Sequence, residues 1–175
     1  KTLAVRFPKH KLIRKILKNL NYPIAAPSAN ISKQISPVSK EDVLDEFGKK
    51  IKFVLDGGRS KIGLESTVIN LCGKIRLLRP GAISKNEISK VLKKNIPNTK
   101  KVRKVVSPGL LKRHYSPGIP IKLNCKKRDD KAAFIVLGKK YRKNRNVFNL
   151  SQNNNMQEAA RKLYKTLRKI KNLGY

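Results

Sequence analysis

The sequence predicts an α/β protein in two parts, and three observations carry that prediction. Short stretches of apolar alternation are interleaved with stretches of helical spacing over residues 1–94. Residues 95–120 are basic, lack periodicity and hold Pro97, Pro108, Pro117 and Pro120. Periodicity returns over residues 121–175, where short apolar runs precede one long amphipathic pattern. The expected organisation is an α/β unit over 1–94, a linker over 95–120 and a smaller α/β unit over 121–175. A structureless stretch of the linker's length is uncommon inside a compact domain unless it connects units or functions itself.

Taken in order, Thr2 to Phe7 alternates and reads as a strand. Pro8 suits a first helical turn, and Leu12, Ile13, Ile16, Leu17 and Leu20 recur at helical spacing behind it. Ile24 to Asn30 reads as a short strand running into a polar loop. Ser39 with Asp42 resembles a capping box, Asp standing for the usual Glu, so a helix is expected to reach Phe47 with Gly48 at its end. Ile51 to Leu55 reads as a buried strand closed by Asp56-Gly57-Gly58. Thr67–Leu71 and Lys74–Leu78 flank Cys72-Gly73 as a hairpin. Ser84 and Glu87 form a second capping box, opening a helix that ends near Lys94. In the last part, Ile121–Leu123, Ala132–Leu137 and Asn146–Leu150 are followed by a helix carrying Met156, Ala160, Leu163, Leu167 and Ile170.

Lys and Arg number 43 against 10 Asp and Glu, a formal charge of +33. Such a surface attracts phosphate-bearing partners in a salt-dependent way. Lys, Asn and Ile abound along the whole length, however, so the charge also reads as a bias at exposed positions. Weak tRNA or double-stranded RNA binding is admitted by charge and not established by it. Cys72 and Cys125 are far apart and show no metal-ligand spacing, so no metal site is assigned. No apolar run approaches the ~20 residues of a membrane helix, and no signal peptide opens the chain. A soluble, reduced, cytoplasmic protein without a membrane partner is the expectation. The chain opens Lys1-Thr2-Leu3 and stops just after a helical pattern, so a fragment is also expected, inactive alone.

Four constellations could carry chemistry. Ala25-Ala26-Pro27-Ser28-Ala29-Asn30 combines small residues, which let a ligand approach the backbone, with neutral hydrogen-bonding groups suited to phosphate. Gly63-Leu64-Glu65-Ser66-Thr67 brings a hydroxyl pair into a strand. In Leu78-Arg79-Pro80-Gly81 the arginine closes a strand in a fixed direction and can contact phosphate bidentately. Ser107-Pro108-Gly109, followed by His114-Tyr115-Ser116-Pro117, either pins the linker or closes over a ligand. No nucleophile or acid partner for His114 is evident, and no catalytic residue is assigned. Hydroxyls, an amide and guanidinium groups with few acids suit electrostatic handling of phosphates better than carboxylate-driven hydrolysis.

Arg6-Phe7-Pro8-Lys9-His10, Ala26-Pro27-Ser28-Ala29-Asn30, Glu65-Ser66-Thr67, Arg79-Pro80-Gly81 and the Ser107 and His114 motifs, in this order, resemble the YrdC-like threonylcarbamoyl-adenylate synthases. The resemblance is close to about Pro120 and looser beyond. It implies part of a YrdC-like mixed twisted sheet with helices, a long linker, and part of a small Rossmann-like α/β domain. It implies a nucleotidyltransferase that forms threonylcarbamoyl-adenylate and pyrophosphate from L-threonine, bicarbonate and ATP, the ATP bringing Mg²⁺. A downstream tRNA-modifying transferase would use the product to make threonylcarbamoyladenosine. Residue by residue, it implies Thr2, Ser28, Asn30, Ser36, Arg79 and Tyr115 at ATP, with His114 beside Tyr115 on a lid. Arg6, Ala26 and Ser66 would bind L-threonine. The chain departs from the family in lacking a Lys-x-Arg motif and in carrying Lys33 where a glycine is usual. A basic RNA-binding module without catalysis and a carbamoyl-transferring hydrogenase maturation factor are the alternatives.

Overall fold

The structure, a computed structural model, describes residues 2–97 and 116–175. It is a mixed α/β arrangement in which helix-forming segments obey their local signals and several strand-like segments do not pair. Helix α1 (Lys11–Lys18) starts after an N-cap at His10, so Pro8 lies ahead of its first turn and Leu20 beyond its end, which corrects the sequence reading. Helix α2 (Lys40–Phe47) is capped by Ser39, whose hydroxyl accepts the Asp42 N–H. The Asp42 carboxylate accepts the Val38 N–H at 2.8 Å, one residue before the N-cap N–H that the Glu of a capping box takes up. Gly48 ends α2 at φ 51.

Strands β1 (Val68–Asn70) and β2 (Arg76–Arg79) form the expected antiparallel hairpin, turning through Gly73 at φ 77. Its register shifts between Val68, opposite Arg79, and Ile69, opposite Leu77. The irregularity sits where Arg79 must point its side chain. Helix α3 (Lys85–Leu92) opens on a complete Ser84–Glu87 capping box. Strands β3 (Phe134–Val136) and β4 (Val147–Asn149) pair in parallel, and α4 (Met156–Asn172) follows, capped by Asn155. The described residues thus hold two sheets of two strands each.

The segments Thr2–Phe7, Ile24–Asn30 and Ile51–Leu55 correct the sequence reading, as they form no strand in the structure. Leu3, Val5 and Phe7 are more than four-fifths exposed, as is Phe53. Alternation and β-branching specify a face that wants burial, but a strand exists only where a neighbour takes up its N–H and C=O groups. None of the described residues does so here. Ile121–Leu123 is likewise exposed and pairs with no strand among the described residues.

The buried stripe of α4 is rotated from the one the sequence predicts. Leu167 and Ile170 are buried and Leu163 is half-buried, as expected, but Ala159 and Tyr164 join them while Met156 is exposed. The core these residues build joins distant parts of the chain. Tyr164 and Leu167 cluster with Ile35, and Val38, Leu64, Ile135 and Leu163 pack against them. At Gly63 a Cβ would stand 2.7 Å from the Arg161 Cα, so α4 lies directly on that glycine.

Candidate functional site

Arg79 closes β2, and its guanidinium is held from two sides. Nε donates to the Ser66 carbonyl at 2.8 Å and Nη2 to the Ser66 hydroxyl at 3.1 Å, while Nη1 stands 3.8 Å from the Glu65 carboxylate. The other Glu65 oxygen accepts the Ser36 hydroxyl proton. These contacts make one network, Ser36–Glu65–Arg79–Ser66, drawn from a loop, the lead into β1 and the end of β2. The Pro80-Gly81 turn makes the closeness feasible. A Cβ on Gly81 would lie 2.3 Å from the Thr67 amide nitrogen, so only glycine lets the backbones cross there. Thr67 fixes the far side by donating to the Ile83 carbonyl at 2.6 Å.

The Arg79 side chain is 18% exposed and that of Glu65 25%. A guanidinium locked in one direction and partly shielded is a preorganised positive charge, which interacts with an anion more strongly than a mobile one in water. The Ser66 hydroxyl accepts from Arg79 and keeps its own proton to donate. The network contains one acid, and that acid is engaged by both neighbours.

Asn30 sits beside this network on the loop leading to Ser36. Its amide N–H groups point to the Ile31 carbonyl at 2.8 Å and the Gln34 carbonyl at 3.1 Å, and its buried Oδ1 has no hydrogen-bond partner among the described residues. Lys33, in the same loop, adopts φ 72, the left-handed conformation in which a glycine is at ease. Its carbonyl accepts the Ser116 N–H at 3.1 Å, and Ser116 bridges Gln34 in parallel register. The linker's far end is thereby fastened to the loop.

The structure brings Ser36, Ser66 and Arg79 together, with Asn30 on the adjoining loop. Thr2, Arg6, Ala26 and Ser28 are exposed, and no hydrogen bond among the described residues joins them to the network. The Arg6–His10 motif makes its own contacts: Arg14 lies 5.1 Å from the Phe7 ring centroid, and His10 Nε2 donates to the Gly57 carbonyl at 3.0 Å. Tyr115 and His114 lie outside the described residues. Glu65 was given no role from sequence, although an acid set between a glycine turn and a hydroxyl pair was the available signal. Cys72 is exposed and Cys125 half-buried, both free. No helix among the described residues is long and apolar enough to cross a membrane.

Two family models match this chain, "Telomere recombination" over residues 1–81 and "Threonylcarbamoyl-AMP synthase, C-terminal domain" over residues 83–174. The chain belongs to the threonylcarbamoyl-AMP synthase family. Among relatives of that name, the one from Pyrococcus abyssi is 35% identical over 193 residues, covering 99% of this chain and 56% of the relative. Those from Bacillus subtilis and Schizosaccharomyces pombe are 38% and 40% identical, covering 69% and 67% of this chain. The solved structure of P. abyssi Sua5 complexed with L-threonine superposes with a TM-score of 0.76 at 32% identity, over 97% of this chain and 55% of that one. The chain thus spans about half the length of the synthases it matches.

Proposed function

We propose that this chain supplies the phosphate-handling part of a threonylcarbamoyl-AMP synthase active site. The reaction joins L-threonine, bicarbonate and ATP, releases pyrophosphate and water, and yields threonylcarbamoyl-adenylate. The threonine amine takes up the bicarbonate carbon to form a carbamate with loss of water, and the carbamate oxygen attacks the α-phosphate of ATP with pyrophosphate leaving. That chemistry asks for alignment of two reactants and neutralisation of charge on the transferring phosphate, more than for a strong base. The observation that carries the reading is the Ser36–Glu65–Arg79–Ser66 network, an acid-poor site built around a fixed guanidinium.

In this reading Arg79 offsets phosphate charge, and Thr2, Ser28, Asn30, Ser36 and Tyr115 surround ATP. Asn30 serves by shaping its loop, since its N–H groups are spent on carbonyls there. Ser36 acts through Glu65. Arg6, Ala26 and the Ser66 hydroxyl form the threonine side; that threonine is a ligand at all is supported by the P. abyssi relative, solved in complex with L-threonine. Among the described residues no group of three His, Cys, Asp or Glu could hold a metal ion. Mg²⁺ fits this chain as an ion carried by the ATP phosphates, keeping phosphate oxygens and water as ligands.

The proposal extends to the organisation of the chain. Residues 1–94 belong to a YrdC-like catalytic domain with a mixed twisted sheet, 95–120 form the linker with His114 and Tyr115, and 121–175 form a small Rossmann-like unit. The parallel β3–β4 pair followed by α4 supports the last assignment. A cytoplasmic setting, weak RNA contact by the basic surface and hand-over to a tRNA-modifying transferase complete it.

The test is pyrophosphate release from ATP by the protein as the cell makes it, with and without threonine and bicarbonate. Release is expected to need both substrates and to fall about 100-fold in Arg79→Ala, the scale of losing one preorganised donor group. ATP turnover indifferent to threonine would overturn the assignment.

A further inference from the structure

The loop from Asn30 to Ser36 is gripped by the far end of the chain. Arg168 of α4 donates through Nη2 to the Ile35 carbonyl at 2.6 Å and to Glu46 Oε2 of α2 at 2.9 Å. The other Glu46 oxygen accepts the Ile31 N–H at 2.5 Å. One carboxylate therefore ties the start of the loop to the side chain that holds its end. The Glu46 side chain is 5% exposed and that of Arg168 21%, so solvent screens the pair little.

Between these anchors the loop is held again. Ile35 packs on Tyr164 and Leu167, and Lys171 Nζ stands 3.5 Å from Gln34 Oε1. The residue after Ile35 is Ser36, whose hydroxyl donates to Glu65, the ion-pair partner of Arg79. Apolar packing alone would hold α4 to the loop in several registers. A guanidinium whose Nη2 is shared between the Ile35 carbonyl and a carboxylate that also takes the Ile31 N–H favours one loop conformation, since a charge left unpaired there is costly.

We propose that Arg168 is a positioning residue for the candidate site. With Glu46, it lets α4 set the conformation of the Asn30–Ser36 loop and hence the placement of Ser36 against Glu65 and Arg79. The proposal deepens the phosphate-handling reading and, for its effect on ATP, rests on it. In this role Arg168 acts through the loop and not by contact with substrate.

Amide hydrogen exchange of the chain tests the brace without any activity. In Arg168→Met, amides of residues 30–36 are expected to exchange about tenfold faster or more, those of α3 at their original rate. Arg168→Lys restores part of the protection, and Glu46→Gln, which keeps one acceptor oxygen for two donors, falls between. Lys165→Met, on an exposed position of the same helix, leaves the loop unchanged. Unchanged exchange in 30–36, or an equal rise in α3, overturns the proposal.

The second readout is the KM for ATP in threonine-dependent pyrophosphate release. Arg168→Met is expected to raise it about tenfold with kcat changed less than about threefold, and Arg168→Lys to recover most of it. An equal fall in kcat with KM unchanged would overturn the positioning role. Altered loop exchange in a protein whose wild type shows no threonine-dependent release would uphold the brace and remove the functional reading. Threonine-dependent release with neither exchange nor KM altered would do the reverse.

Discussion

Gly63 and Gly58 share a backbone conformation, φ 74 and φ 72, but not an environment, and comparing alanine at the two isolates how tightly α4 is docked. A Cβ at Gly58 meets nothing within 4 Å. At Gly63 it would stand 2.7 Å from the Arg161 Cα, 2.9 Å from the Ala160 carbonyl oxygen and 3.0 Å from the Arg161 carbonyl oxygen. All three atoms are helix backbone, so no side-chain rotation relieves the clash, and α4 must move away. Both substitutions place a Cβ in the left-handed region, at about 1–2 kcal/mol each. Gly63→Ala adds an overpacking cost of about 1–3 kcal/mol. Urea unfolding followed by far-UV circular dichroism is expected to show Gly58→Ala destabilised by about 1–2 kcal/mol. Gly63→Ala should lose about 2–5 kcal/mol, which in a domain of this size lowers Tm by roughly 5–20 °C. Equal losses at the two positions would refute the close packing of α4, and with it the geometry that lets Arg168 reach Ile35.

Two further outcomes follow from single residues. Lys33 occupies a glycine-like conformation, so Lys33→Gly is expected to leave stability within about 1 kcal/mol, relieved strain offsetting the looser unfolded chain, while Lys33→Val loses about 1–2 kcal/mol in the same denaturation assay. Glu158, in the first turn of α4, is held below the ordinary carboxylate value of 4.5 by hydrogen bonds from Lys162 and then Ser151, with Lys162 and Arg161 charges adding. A lowered folded value means that its stabilising contribution is present above pH 4.5 and is lost as pH falls through the folded value. Melting temperatures between pH 3 and 6 should therefore fall less steeply in Glu158→Gln than in the parent, and identical slopes would contradict the contact.

Local chemistry by itself determined the helices, the hairpin and the motifs. Ser39, Ser84 and Asn155 each start a helix by taking up the N–H of its third residue, and Gly48 and Gly73 supply turns other residues resist. Those devices act over a few residues, so they can be read from a few residues. The resemblance carried by the ordered motifs implied Ser36 and Arg79 at ATP and Ser66 at L-threonine. Tertiary structure alone decided which alternating segments became strands, because a ladder needs a neighbour that no short stretch announces. Thr2–Phe7 and Ile51–Leu55 have the pattern and find no strand partner among the described residues, whereas Phe134–Val136 and Val147–Asn149 have both. It also decided that Glu65 links Ser36 to Arg79 and that Glu46 meets Arg168, 122 residues away. An ion pair of the latter separation carries no sequence signal, since any of 43 basic side chains could have answered Glu46. Packing of Ile35, Tyr164 and Leu167 brings one of them within reach, and the buried carboxylate holds it there.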